Sequence, residues 1–200
     1  MIVVKIDEKL QEIKEEVINC KKCPLYKERI KDKCYPVIGQ GNHQAKIFFI
    51  GEAPGAREAQ TGHPFCGTSG KILDELLESA GIKREDVYIT NILKCRPSNN
   101  RNPKAEEISA CVLYLDKQIE LINPKIICTL GNFSTAFILE KYGLKDEIKG
   151  ISKIHGKIFE AKSSSGKKKV IPFYHPAVAA YNANMKDGLK EDFQILKDFK

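Results

Sequence analysis

The chain has 200 residues, of which 42% are hydrophobic and 30% are charged, a composition typical of one folded domain with its own core. No stretch approaches the ~20 consecutive apolar residues that span a bilayer, so the sequence predicts no membrane-spanning helix. The formal net charge of +7 favours a polyanionic partner such as nucleic acid, although lysine-rich surfaces also serve solubility alone. The first residues lack the basic start and long apolar run of a secretory signal, so the sequence predicts a cytoplasmic protein.

Taken in chain order, the spacing of apolar residues predicts a series of helices and strands. The predicted elements are a helix over residues 6–19, a strand over 46–50, a helix over 69–80, a strand over 87–93, a helix over 103–122, a strand over 125–130, a helix over 132–142, strands over 157–161 and 170–174, and a helix over 188–199. Strand and helix alternate through the middle of the chain, which favours an α/β fold, a three-layer sandwich in which helices flank a mostly parallel central sheet. We expect residues 1–200 to form this single domain, with residues 163–169 as a flexible basic loop.

The least ordinary residues of the chain follow predicted strands. The segment Gly51-Glu52-Ala53-Pro54-Gly55 follows one strand, Asn91 lies near the end of the next, and His175 follows a late one. Because parallel sheets bind ligands beyond the carboxyl ends of their strands, we expect these residues at one edge of the sheet. With Phe65 from a nearby loop, they supply a ring to stack on, an amide that donates and accepts, and an imidazole donor.

Each of these features also has an ordinary structural explanation. The 51–55 segment is compatible with a simple strand–helix turn, and Asn91 with a turn residue. Phe65 taken alone is more typical of the core, and His175 before a proline is typical of a loop histidine whose hydrogen bonds are satisfied. The prediction of a binding site therefore depends on all four features sharing one sheet edge.

Seven cysteines in a reducing compartment are not expected to form disulfides. Cys20 and Cys23 form a C-x-x-C pair whose thiolates can reach one metal or cluster, and the distant Cys95 and Cys111 are placed to converge on it. On spacing alone, structural zinc is at least as good an interpretation as an iron–sulfur cluster, and unrelated free thiols remain an alternative. Cys34 is the most serious substitute ligand.

Several short motifs resemble the family 4 uracil-DNA glycosylases, the iron–sulfur type found in thermophilic bacteria and archaea. The matching segments are Cys20–Leu25, Gly39–Asn42, Gly51–Gly55, Thr61–Phe65, Thr90–Pro97 and Tyr174–Ala177. No single segment is decisive, but their order and spacing together are specific. The resemblance covers nearly the whole chain.

The resemblance implies a DNA repair enzyme that flips uracil out of single- or double-stranded DNA. Such an enzyme hydrolyses the N-glycosidic bond and leaves an abasic site. It also implies a [4Fe–4S] cluster on Cys20, Cys23, Cys95 and Cys111, with a structural role rather than a role in the chemistry. We expect the protein to act as a monomer.

Carried over by position, the resemblance assigns a role to each residue of the sheet edge. Phe65 would stack on the flipped uracil, Asn91 would read its N3 and O4 edge, and His175 would hydrogen-bond its O2. Glu52 would lie beside the glycosidic bond, so Glu52, Asn91 and His175 are the expected catalytic residues. The expected substrate-binding residues are Gly51, Ala53, Pro54, Gly55, Glu58, Phe65, Asn91 and His175.

One departure from the family's wider pattern concerns the base that activates water. Ala53 occupies the position at which the best-known branch of the superfamily has an aspartate. Glu52 therefore becomes the leading candidate for the base, with Glu58 and Asn100 as weaker contributors.

Contacts with DNA outside the base pocket are predicted from two short segments. Relatives often place a leucine wedge after the histidine, whereas Val178 or Tyr181 would replace it here, and weaker insertion would favour single-stranded or mismatched uracil. Lys94, Arg96 and Arg101 are expected to meet phosphates, with a solvated basic loop as the alternative.

Three other functions fit parts of the same pattern. The first keeps the fold but changes the excised base to hypoxanthine or xanthine. The second is an iron–sulfur DNA-binding module without chemistry, against which the intact Glu52, Phe65, Asn91 and His175 argue. The third is a zinc-stabilised, Rossmann-like nucleotide-binding protein, which the lack of a full G-x-G-x-x-G motif disfavours.

Overall fold

A computed structural model describes residues 2–163 and 166–199, which form both helices and strands. The helices are α1 Ile2–Ile18, α2 Leu25–Lys31, α3 Ala56–Thr61, α4 Thr68–Ser79, α5 Ala105–Ile122, α6 Asn132–Lys141, α7 Ile151–Ile154, α8 Ala177–Tyr181 and α9 Met185–Phe193. The strands are β1 Gln40–Gly41, β2 Ile47–Gly51, β3 Tyr88–Asn91, β4 Ile126–Leu130, β5 Phe159–Ser163 and β6 Gly166–Phe173. Short 3-10 turns lie at Arg84–Asp86, Ser98–Asn100, Lys145–Glu147 and Gln194–Phe199.

The six strands form one mixed sheet in the order β1-β3-β2-β4-β6-β5. The four inner strands run parallel, whereas the edge strands β1 and β5 pair antiparallel with their neighbours. Strand β2 pairs with β3 on one side and with β4 on the other, so the chain reverses its direction of winding there. Sheets of this kind bind ligands at the carboxyl ends of the strands beside such a reversal.

Apolar side chains from both faces of the sheet bury it between two layers of helices. The strand β2 is buried throughout, and its successive residues point to opposite faces because side chains alternate along a strand. Phe49 packs with Leu73 of α4 and Phe193 of α9, whereas Phe48 packs in the opposite layer, which includes Tyr114 of α5. The predicted three-layer α/β sandwich with a mostly parallel sheet is therefore confirmed.

The largest difference from the predicted elements lies between the last two strands. The expected flexible loop over residues 163–169 is wrong at its described ends, since Ser163 ends β5 and Gly166 begins β6. The backbone pairs Ser163 with Gly166 and Lys162 with Lys167, so ladder hydrogen bonds override the polar composition. Residues 164 and 165 of the predicted loop lie outside the described residues.

Several short elements were not predicted, because two to seven residues are too few for apolar periodicity to reveal. These elements are α2, α3, α7, α8 and the two-residue strand β1. The predicted final helix is instead α9 followed by the 3-10 turn Gln194–Phe199. Within the described residues, no helix combines the length and apolar character needed to cross a membrane.

Candidate active site

The carboxyl ends of the parallel strands bring the predicted polar residues to one edge. Gly51 ends β2 and Asn91 ends β3, and the two are direct partners in the sheet register. Gly131 follows β4, and His175 lies two residues beyond the end of β6. Strand order, rather than closeness in sequence, therefore assembles the site.

Gly51 lets two side chains approach the end of β2. A Cβ atom on this residue would overlap the Oδ1 atom of Asn91 and would lie 2.9 Å from Cζ of Phe65. Glycine is required here by space, because the amide and the ring edge occupy the volume that any side chain would fill. Asn91 itself is buried, at 2% exposure.

Phe65 is both a core residue and a residue of the candidate site. It is buried and belongs to the core layer that contains Leu73, as expected of a core phenylalanine. Its ring also lies 5.7 Å from the ring of His175, centroid to centroid, at an interplanar angle of 32°. Its backbone has a φ of +48°, an uncommon conformation for a residue with a side chain, and Gly70 leaves room for its carbonyl oxygen.

His175 is held as a neutral ring with a defined proton position. Its Nδ1 atom accepts a hydrogen bond from the backbone N–H of Ala177 at 3.2 Å, so the proton of the neutral ring lies on Nε2. Burial lowers the pKa of His175, and the nearby Glu58 carboxylate opposes that shift. The arrangement leaves an Nε2–H donor for a ligand. Gly131 allows the close approach of His175, whose Cβ would lie 3.3 Å from a Cβ added there.

The helix α3 places Glu58 on the same edge. The Oε1 atom of Glu58 accepts a weak hydrogen bond from the backbone N–H of Gly67 at 3.4 Å, and Oε2 lies beside Gly55. The sequence carried a signal for this helix, because Ala56 to Gln60 are mostly good helix formers and Gly62 ends the helix with a φ of +77°.

The 51–55 segment runs beside the chain that leaves β3. The backbone N–H groups of Ile92 and Leu93 donate to the carbonyl oxygens of Gly51 and Glu52, each at 3.0 Å. The Glu52 side chain is partly buried, and desolvation raises the pKa of its carboxyl group. Pro54 is buried.

Ala53 lies at the junction between this edge and the cysteines. It packs against a small buried group formed by Leu25, Leu93 and Cys95. An aspartate at position 53 would therefore have to share this apolar surface, which is consistent with the alanine found there.

The structure separates the three basic residues that were expected to meet phosphates. For Lys94 that prediction is wrong, because its side chain is 1% exposed and its Nζ atom is surrounded by protein oxygen atoms. Arg101 is held by Glu107, at 2.6 and 2.9 Å, and also reaches Glu28. Arg96 remains partly exposed.

Two further predictions concern Asn100, in the loop after β3, and the residues that follow His175. Asn100 accepts a hydrogen bond from Nε of Arg96 at 2.8 Å in an exposed loop. Val178 and Tyr181 lie on α8, directly after the histidine, where Val178 is partly buried and Tyr181 is 91% exposed. Their roles in catalysis and wedge insertion stay predictions.

The four cysteines predicted as ligands line one small cavity. Cys20 follows α1, Cys23 precedes α2, Cys95 follows β3 and Cys111 lies on α5. All four are free thiols. Cys34, the predicted substitute, does not line this cavity, and its sulfur contacts the carbonyl oxygen of Asp32.

Hydrogen-bond donors surround the sulfur atoms of this cavity. The backbone N–H of Lys94 lies 3.1 Å from Sγ of Cys111, and the guanidinium of Arg29 lies 3.7 Å from Sγ of Cys95. Burial raises the pKa of Cys95 to about 12 and that of Cys111 to about 11, so the thiols stay protonated unless a cationic group replaces the protons. Donors of this kind suit sulfur atoms that carry negative charge.

In residues 2–163 and 166–199, no three His, Cys, Asp or Glu side chains converge tightly enough to hold a single metal ion. The four thiols line one shared space, and thiolates are ligands both of zinc and of iron–sulfur clusters.

Comparisons with known proteins agree with these features. The family model described as the uracil DNA glycosylase superfamily matches residues 38–199. The chain is 46% identical over 190 residues to the type-4 uracil-DNA glycosylase of Sulfurisphaera tokodaii, covering 94% of this chain and 84% of that protein. It is 45% identical over 187 residues to the type-4 enzyme of Archaeoglobus fulgidus, covering 94% and 91% of the two chains. It is 40% identical over 195 residues to the type-4 enzyme of Thermotoga maritima, covering 96% and 95%.

Proposed function

Because the chain belongs to the type-4 uracil-DNA glycosylases of the uracil-DNA glycosylase superfamily, we propose that the carboxyl edge of its sheet is the site at which it excises uracil from DNA. The reaction is hydrolysis of the N-glycosidic bond, which releases uracil and leaves an abasic site. One observation carries the assignment of the site: Phe65, Asn91 and His175 come from distant parts of the chain and meet at this edge.

Asn91 is proposed to read the base. Its carboxamide can accept from N3–H of uracil and donate to O4, whereas cytosine presents the opposite pattern at these two positions. The buried position of Asn91 supports this role, because a mismatched base would leave a desolvated polar group without its partner. Discrimination against cytosine then follows from one side chain.

His175 and Phe65 are proposed to hold the base and its developing charge. Cleavage leaves negative charge on uracil, and the Nε2–H of a neutral His175 can donate to O2 as that charge grows. One such donor can contribute ~3 kcal/mol to the stability of a transition state. The Phe65 ring lies beside Gly51 and 5.7 Å from the ring of His175, centroid to centroid, which suits a ring that packs against the base.

Glu52 is proposed to act on the sugar side of the bond. As an ionised carboxylate it would stabilise positive character on the sugar or orient the attacking water. Its partly buried position keeps the carboxylate poorly solvated, which strengthens its interaction with a nearby cation. The backbone of the 51–55 segment and the Glu58 side chain would complete the pocket.

The cysteine-lined cavity is proposed to hold a [4Fe–4S] cluster on Cys20, Cys23, Cys95 and Cys111. Four free thiols around one space, with N–H donors directed at two of the sulfurs, support this ligand set. When bound, the cluster would tie the segment between α1 and α2 to β3 and α5. Its role is therefore structural, and it lies beside the base-reading strand rather than at the glycosidic bond.

The activity is tested with an oligonucleotide that carries one deoxyuridine, followed by alkali to cleave any abasic site. We expect strand cleavage at the uracil and none in a matched oligonucleotide that carries deoxycytidine there. A folded protein that binds the oligonucleotide but leaves it uncut would identify a DNA-binding module without chemistry. The absorption spectrum of the same preparation distinguishes the cofactor, because a brown protein contains iron–sulfur clusters and a colourless protein with stoichiometric zinc does not.

A further inference from the structure

Lys94 is a buried lysine that the proposed chemistry does not use. Its side chain is 1% exposed, although the sequence around it looks like an exposed basic loop. Lysine is rarely buried to this degree without a specific partner. The position of this side chain therefore calls for a functional or structural explanation.

Three oxygen atoms satisfy the three N–H donors of the Lys94 ammonium. They are Oγ1 of Thr90 at 2.7 Å, the carbonyl oxygen of Asn91 at 2.8 Å and Oε1 of Gln118 at 2.7 Å. None of these acceptors is a carboxylate, so the lysine is held by hydrogen bonds to neutral oxygen atoms rather than by an ion pair. The ammonium thereby fixes the backbone of Asn91, the residue proposed to read the base.

The same network fixes the acceptors of Lys94 in turn. Thr90 donates to the carbonyl oxygen of Ile38 at 2.7 Å, and the amide of Gln118 donates to that same oxygen at 2.9 Å and to the hydroxyl of Tyr88 at 3.1 Å. Because Thr90, Gln118 and Tyr88 are all buried, each lost hydrogen bond would leave an unsatisfied polar group. Buried networks of this kind hold their members in one arrangement.

The backbone of Lys94 connects this network to the cysteines. Its N–H donates to Sγ of Cys111, and Cys95 is the next residue in the chain. One residue thus contacts a proposed cluster ligand through its backbone and the base-reading strand through its side chain.

We propose that Lys94 is a positioning residue that fixes Asn91 in the orientation needed to read uracil, with its own backbone anchored on the cysteine-lined cavity. The inference rests on the proposed function of Asn91. Lys94 contacts neither the substrate nor DNA phosphates, since its ammonium is enclosed by protein oxygens. It acts on the reaction only through Asn91.

A double-mutant cycle tests this role. In single-turnover reactions on uracil-containing DNA, Lys94→Met should lower the rate constant of the wild-type protein about 30-fold, within the range of coupling seen for contacting residues. The same substitution in the Asn91→Ala background should change the rate less than about threefold, because its target is already absent. DNA affinity should be unchanged in both backgrounds, whereas loss of a phosphate contact would weaken binding and reduce its salt dependence.

Lys168 supplies the matched control. It is also buried, at 4% exposure, and donates to neutral oxygens of Asn123 and Pro124 at 2.9 and 2.8 Å, but at the opposite edge of the sheet. Lys168→Met should destabilise the protein to urea without changing the rate of uracil removal. The visible absorbance per chain is measured for every variant, so that rates are compared at equal cluster content.

Equal effects of Lys94→Met in the two backgrounds would overturn the inference, since a purely structural role gives additive losses. If Lys94→Met does not fold, Thr90→Val removes one acceptor at nearly constant shape and should show the same dependence on Asn91, with a smaller loss. A wild-type protein without activity on uracil would instead refute the proposed function itself. An active wild type with additive variants would refute only the role of Lys94.

Discussion

The two ends of the parallel sheet both hold polar side chains and one buried lysine each, yet they differ in what surrounds that lysine. At the carboxyl end, Lys94 lies beside Asn91 at the edge where His175 and Phe65 also lie. The amino end is dominated by charge, and its cavity is lined by Lys46, Lys125, Lys167, Lys168 and Lys169 together with Glu160 and Asp198. A buried lysine therefore does not identify an active site by itself. The carboxyl end is distinguished by the amide, the imidazole and the aromatic ring that lie near its lysine.

The glycines explain part of this difference. At the carboxyl end, Gly51 and Gly131 remove side-chain volume where Asn91 and His175 must approach the strand ends. At the amino end, β2 and β4 begin instead directly after Lys46 and Lys125, which are both exposed. A parallel sheet thus presents a cleft at one end and a charged surface at the other.

The largest expected effect on the rate of uracil removal comes from an asparagine-to-aspartate substitution, which is made once at each end of the sheet. Asn91→Asp should lower the rate of uracil removal about 1,000-fold, because a carboxylate cannot donate to O4 and repels the developing anion. Asn123→Asp makes the same change at the amino end, where Asn123 contacts Lys168, and should leave the rate unchanged. The measurement is single-turnover excision on one uracil-containing oligonucleotide, and comparable losses in both variants would remove the distinction between the ends.

The pH dependence should also belong to the carboxyl end. Burial lowers the pKa of His175, which favours the neutral ring, and burial raises the pKa of Glu52, so this carboxylate takes up its proton at a higher pH than an exposed glutamate does. The rate should be flat near neutral pH and then fall about tenfold per pH unit as pH drops through the raised pKa of Glu52.

Two matched variants assign that acid limb. Glu52→Gln should lower the plateau and abolish the fall, whereas Glu160→Gln, an acid that lines the amino-end cavity, should leave the whole profile unchanged. An unaltered acid limb in Glu52→Gln would show that another group titrates, and His175 would then be the first to examine.

A smaller effect on activity is expected from the cysteines. Cys95→Ser should lose the visible absorbance and lower the free energy of unfolding, with about a tenfold loss of rate, equivalent to ~1.4 kcal/mol. The rate loss is modest because the cavity supports the base-reading strand without touching the bond. Cys34→Ala is the control, since Cys34 does not line the cavity, and it should retain both colour and rate. A colour loss in Cys34→Ala would mean that the ligand set is wrong.

The sequence predicted the sheet edge well because its signals are local. Gly51 directly follows an apolar run that predicts β2 and the place where it stops, and Asn91 lies near the end of the next predicted strand, over residues 87–93. The C-x-x-C pair at Cys20 and Cys23 was equally visible, and the cavity brings Cys95 to it as expected. Features that depend on strand ends and on fixed spacings can therefore be predicted from the sequence.

The burial of Lys94 was not predictable in the same way. Its neighbours in sequence suggested an exposed basic segment, whereas its burial depends on Gln118, 24 residues later, and on Ile38, which orients Gln118. The helix α3, which carries the predicted residue Glu58, was not predicted because its six residues are too few to show apolar periodicity. Contacts between distant segments decide the burial of Lys94, and a single sequence does not display them.

The smallest expected effect concerns the surface charges that distinguish the two ends. Arg96 is a partly exposed basic residue near the carboxyl end, so Arg96→Gln should reduce the slope of log binding constant against log salt by about 0.9, the loss of one phosphate contact. Lys125→Gln removes an exposed charge at the amino end and should leave that slope unchanged. Both variants have the same net charge, so general electrostatic attraction predicts equal salt slopes for the two. A defined DNA path across the carboxyl end predicts a smaller slope for Arg96→Gln alone. Equal slopes in a salt titration of DNA binding would therefore place the DNA contact elsewhere on the surface.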